Sequence, residues 1–200
     1  MLVMITKEFL IKEYGKNLRE IHKIKNDMKG LAKGSVQLKS INGKEYTYLA
    51  YRENGKTITN YIKDDSRRRI ENELDKRKQL EKQLEILFDI TRIIEKALGR
   101  VYANNQFLDE TISSFVHDNP QYNIKKIVLF GSRAKATFTP ESDVDLLIEF
   151  NKSAKTSMLL LSEIRLALID YLGIEVDLVR LPIAKDSIIE IGKTRVIYES

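Results

Sequence analysis

The chain has 200 residues, room for one domain or for a small domain with an extension. Apolar residues make up 42% and charged residues 32%, a balance that fits a soluble core together with long solvated helices. There is no cysteine, which excludes disulfides and thiolate metal sites. With only two histidines, any metal is expected to be a hard cation held by oxygen.

The first apolar stretch is interrupted by Lys7, Glu8, Lys12 and Glu13, so it does not read as a signal segment. No run approaches the ~18 continuous apolar residues of a membrane span. The expectation is a soluble cytoplasmic protein without membrane contact. The net charge of +5 is uneven. Residues 1–70 hold 16 Lys and Arg against 8 Asp and Glu, residues 71–123 hold 7 against 10, and residues 124–200 hold 11 against 11. A basic N-terminal third points to a polyanionic partner such as nucleic acid, although a Lys-rich solvated surface gives the same count.

In chain order, residues 6–31 read as a helix. Ile11, Tyr14, Leu18, Ile21, Ile24 and Met28 recur at steps of three and four, and Gly30 and Gly34 mark the end. Asn42-Gly43 and Asn54-Gly55, each flanked by β-prone residues, predict two tight turns. They delimit strands at roughly 35–41, 44–52 and 56–62, a three-stranded antiparallel meander. A long helix follows from Asp65 or Ser66 to about Leu98, with Ile70, Leu74, Leu80, Leu84, Leu87, Ile90 and Ile94 at heptad-like spacing. At about 1.5 Å per residue it is roughly 50 Å long, and the simplest way to cover it is an antiparallel hairpin with the first helix. A further helix is expected over 103–117, ended by Asn119-Pro120.

From Ile124 the pattern becomes α/β. Strands are expected at 127–130, 144–150 and 174–179, with a helix at 158–172 and a last helix over roughly 184–192. The chain thus divides into an arm (1–98), a connecting helix and hinge (99–123) and a C-terminal domain (124–200).

The stretch IVLFGSRAKATFTPESDVDLLIEF, residues 127–150, carries the chemistry. A strand running into Gly131-Ser132 at a helix start offers a tight turn, free backbone N–H groups and a hydroxyl, which suits a triphosphate. Asp143 and Asp145, two residues apart in a strand, share one face, and a divalent cation relieves their repulsion. Asp177 lies between Val176 and Leu178, where a carboxylate costs free energy unless paired or metal-bound, and it is the candidate third carboxylate and proton acceptor.

Gly-Ser, ten residues and Asp-x-Asp resemble the signature of the DNA polymerase β-like nucleotidyltransferases, and most of all the minimal nucleotidyltransferases (MNT), known chiefly as antitoxins of HEPN-type toxins. The resemblance covers residues 124–200, including the closing segment from Ile188 through Arg195 to Tyr198. It implies an α+β fold whose C-terminal part is a mixed β-sheet with helices. It also implies ATP or another nucleoside triphosphate as substrate and Mg²⁺ as cofactor. Gly131, Ser132 and Arg133 match the nucleotide-binding residues, Arg133 as a phosphate contact, and Asp143, Asp145 and Asp177 match the catalytic metal ligands. Where the family often has Gly after Gly-Ser-Arg-Ala-Arg, this chain has Ala136.

The reading that follows is transfer of a nucleoside monophosphate, AMP from ATP first, to a hydroxyl of a partner protein, with a HEPN-type toxin as the natural acceptor. Two alternatives stay open: addition of nucleotides to a bound nucleic acid, and a non-catalytic antitoxin that neutralises its partner by contact. The arm lies outside the resemblance, and the sequence leaves it three roles: a lever, a homodimerisation arm or a recognition arm.

Overall fold

A computed structural model describes residues 6–151, 156–182 and 191–200. The chain forms two compact units. One comprises residues up to His22 together with Phe88–Ser200, and the other comprises Lys23–Leu87. Two helices, α1 (Lys7–Lys29) and α2 (Asp64–Leu98), contribute to both.

In the 23–87 unit, β1 (Ser35–Ile41), β2 (Lys44–Glu53) and β3 (Lys56–Ile62) form the expected antiparallel meander in the order β1-β2-β3. Asn42 and Gly43 have φ of 51° and 74°, and Asn54 and Gly55 have 49° and 76°. Positive φ at both central residues is what a type I′ hairpin turn requires. Arg77 of α2 ties down the end of α1 and the residues that follow it. Its Nε donates to the Ala32 carbonyl at 2.8 Å, and its Nη2 donates to those of Met28 at 2.7 Å and Leu31 at 3.1 Å.

In the other unit, α3 (Arg100–Asp118) leads through a short 3₁₀ turn into β4 (Ile124–Leu129). Then come α4 (Gly131–Lys135), β5 (Val144–Phe150), α5 (Met158–Leu172), β6 (Val176–Arg180) and β7 (Arg195–Glu199). The sheet order is β6-β5-β4-β7; β5 pairs with β6 in parallel, and β4 pairs antiparallel with both β5 and β7. The mixed sheet expected from the resemblance is therefore present. The helix expected over 184–192 falls mainly outside the described residues. Residues 195–199, given no secondary structure from the sequence, close the sheet as β7.

One core runs through this unit. Leu108, Ile112 and Phe115 of α3, Ile127 and Leu129 of β4, Leu146 and Ile148 of β5 and Ile164 and Leu168 of α5 are completely buried. Ile11, Tyr14 and Leu18 of α1 belong to the same cluster. The Tyr14 and Phe107 rings meet edge-to-face with centroids 5.8 Å apart. Gly15 lets α1 approach that closely, because a Cβ there would lie 2.6 Å from the Phe107 ring. The first half of the N-terminal helix is thus part of the C-terminal core, although the sequence assigns it to the arm.

Candidate active site

The site is built on the strand β4, its turn into α4, and the parallel pair β5 and β6. Gly131 has φ of 69°, and a Cβ on it would fall 2.0 Å from Asp145 Oδ2. Any side chain there would be strained and would displace the carboxylate. The Phe130 N–H donates to the Asp145 carbonyl at 3.0 Å, which ties the turn to β5. The side chain of Phe130, at the N-cap of α4, caps none of the first N–H groups of the helix. Ser132 follows in the same turn, half-buried. Ala136 closes α4 with φ of 62°. That is the left-handed conformation in which glycine is unstrained, so the family's glycine at this place has a backbone reason.

Asp145 and Asp177 are register partners across β5 and β6, so their side chains stand on one face of the sheet. Asp143, exposed, lies just before β5. The Asp145 carboxyl is raised above the usual Asp range. Burial is the first cause, then the charges of Asp177 and Asp143; Arg133 opposes the rise. Asp145 and Asp177 line a cavity of about 370 Å³ together with Phe130, Arg165, Leu178 and Val179.

Among the described residues, no three acidic or histidine side chains stand close enough to cage a cation. A closed cage is not what Mg²⁺ requires. It is held by one or two carboxylates with the remaining positions taken by water and substrate phosphates. Two adjacent carboxylates, one of them destabilised as an anion, with oxygen as the sole donor element, fit that ion.

Arg133 departs from its expected place as a phosphate contact. It is 2% exposed. Its Nε donates to the Asp143 carbonyl at 3.1 Å, its Nη2 to the Ser142 carbonyl at 2.7 Å, and its Nη1 to Asn104 Oδ1 of α3. The guanidinium also lies 5.0 Å from the centre of the Phe138 ring. Burial pulls it down from the usual Arg range while Tyr14, Glu95 and Asp143 push it back up. In this structure Arg133 pins the loop that carries Asp143 and leaves no side-chain donor facing solvent for a phosphate. The motif shows an arginine but not the direction of its side chain.

The cation that does line the cavity is Arg165 of α5, which the sequence reading did not single out. Its Nε donates to the Val176 carbonyl at 2.6 Å, and Nη2 lies 3.5 Å from Glu175. An arginine on a helix that reads as amphipathic looks like a solvated residue, and no sequence spacing links it to Asp177. The structure thus brings Gly131, Asp145 and Asp177 together, with Ser132 and Asp143 in the adjoining turns, adds Arg165, and turns Arg133 inward.

A nucleotidyltransferase domain family matches residues 108–198, and a domain of unknown function (DUF6788) matches residues 16–72. Two proteins of Methanocaldococcus jannaschii, both provisionally named protein adenylyltransferases, are similar. One is 43% identical over 63 residues, 30% of this chain and 59% of its own length; the other is 42% identical over 59 residues, 30% and 58%. The chain therefore spans about three fifths of each of these relatives. A crystal structure of a toxin–antitoxin with AMP-PNP shares 22% identity over 46% of this chain and 73% of that chain, with a TM-score of 0.39. A tri-AMPylated HEPN toxin in complex with MNT antitoxin from Shewanella oneidensis gives 21%, 48%, 73% and 0.36. Its motif, its mixed sheet and the family match agree that residues 108–198 of this chain are a nucleotidyltransferase domain.

Proposed function

We propose that the chain is a cytoplasmic protein adenylyltransferase that moves AMP from ATP to a hydroxyl on a partner protein, acting as the antitoxin of a HEPN-type toxin. The observation that carries the reading is the pairing of Asp145 with Asp177 across β5 and β6, with the Gly131 turn pressed against Asp145 at the cavity. The names of the two archaeal relatives support adenylyl transfer and a protein acceptor.

The backbone N–H groups of the Gly131-Ser132 turn and the Ser132 hydroxyl receive the triphosphate, and Arg165 faces it across the cavity. Asp143 and Asp145 hold Mg²⁺, which when bound neutralises charge on the phosphates. Asp177 takes the proton of the acceptor hydroxyl. The hydroxyl oxygen bonds to the α-phosphorus, the bond from that phosphorus to the β-phosphate oxygen breaks, and pyrophosphate leaves. Arg133 serves by positioning: it fixes the two carbonyls that frame Asp143.

The test is label transfer from α-labelled ATP with Mg²⁺ into a lysate of the native cell, comparing the chain with its Asp143→Ala/Asp145→Ala variant. Label on a protein band only with the unaltered chain is the expected result. Label on RNA would move the acceptor to nucleic acid, and no label from a folded chain with any of the four triphosphates would overturn the reading.

A further inference from the structure

The meander segregates its charges by face. Strand alternation places Lys44, Tyr46, Tyr48 and Arg52 of β2 on one side. Register adds Lys39, opposite Tyr46, from β1 and Tyr61, opposite Tyr48, from β3. No residue that the three strands place on this side is acidic. Both strand glutamates, Glu45 and Glu53, fall on the other side with Leu38, Leu49, Ile58 and Ile62. Lys39, Lys44 and Arg52 are exposed, and Tyr61 is 55% exposed. The Tyr61 ring meets those of Tyr46 and Tyr48 edge-on, at 6.1 and 5.7 Å. The Lys39 ammonium sits 5.0 Å from the centre of the Tyr48 ring.

We propose that this face of the meander binds single-stranded nucleic acid, bases stacking on the tyrosine cluster and phosphates meeting Lys39, Lys44 and Arg52. Charge complementarity selects the partner. A polyanion meets three cations and no carboxylate, and a surface built for an unspecialised protein partner has no reason to sort its glutamates to the far side. Exposed aromatic rings beside cations are what non-specific single-strand binding uses, since every base has a π-face. A paired duplex keeps its bases stacked inside and offers the rings nothing. The proposal does not depend on the transfer chemistry, because the site lies wholly within residues 39–61.

Fluorescence anisotropy of the full chain with labelled oligo(U), oligo(dT) and a mixed-sequence duplex, at several salt concentrations, tests it. Three phosphate contacts predict a roughly 20-fold loss of affinity for single strands between 50 and 200 mM salt. The Lys39→Ala/Lys44→Ala/Arg52→Ala variant is expected to abolish that salt dependence and weaken binding at least tenfold. Tyr61→Ala is expected to weaken it about fivefold or more with the salt dependence kept, as loss of stacking requires. Lys56→Ala, which removes one positive charge from the opposite face, should stay within about twofold. The oligo(U) and oligo(dT) arms distinguish RNA from DNA. Absence of binding at 50 mM salt, a duplex bound as tightly as the single strands, or equal losses from Lys56→Ala and the triple variant would each overturn the proposal.

Discussion

At the scale of single residues, Asp145 holds the most testable physics. Its carboxyl is raised by burial and by the two neighbouring carboxylates, so the fold favours the protonated form. A group raised in the folded state contributes stability below its unfolded value, near 3.9 for Asp, and loses that contribution as pH rises through the folded value. Metal-free Asp145→Asn, which is neutral throughout, is therefore expected to melt slightly above the unaltered chain at pH 7, with the gap closing toward pH 4. The same variant should have no transfer activity. Thermal melts across that pH range check it, and a variant that melts lower at pH 7 would show that the carboxylates do not repel. The tight turn at Gly131 and the place of Asp145 on β5 were legible because each answers to local geometry, whereas Asp143 stands just before the strand rather than within it. Arg165 was not legible, because its place at the cavity comes from a packing of α5 beside β6 that no local spacing encodes.

At the scale of elements, Arg133 joins α4 to α3 and to the loop before β5 through three acceptors. Arg133→Met leaves those acceptors without donors, at a cost of about 2–4 kcal/mol. Urea unfolding reads that loss. Because the loop carries Asp143, kcat for adenylyl transfer should fall further than KM for ATP rises, and Arg133→Lys should restore only part of it. A variant with normal kcat would remove the positioning role. The meander and the long helix were readable in advance, since Asn-Gly turns and a recurring apolar stripe are strong local signals. β7 was not: its pairing with β4 is set by partners more than 60 positions away.

At the scale of the whole molecule, the 23–87 unit interrupts a unit whose residues come from both sides of it. The apolar stripe of α1 was visible in the sequence, but its partners were not, because periodicity says that a face is buried and not against what. Ile11, Tyr14 and Leu18 are each at most 4% exposed. Burying three such side chains contributes roughly 5–9 kcal/mol, comparable to the net stability of a typical domain. A chain lacking the residues up to His22 is therefore expected to show no cooperative thermal transition by circular dichroism. A sharp transition near that of the full chain would mean that α1 is dispensable to the core. The same feature sets a timetable for synthesis. The Tyr14 hydroxyl donates to Glu95 Oε1, 81 positions later in the chain. At about 5–20 residues per second, a ribosome takes roughly 4–16 s to cover that distance. During that interval the apolar face of α1 has been made while the core that will cover it has not, so Ile11, Tyr14 and Leu18 wait for partners that are synthesised later.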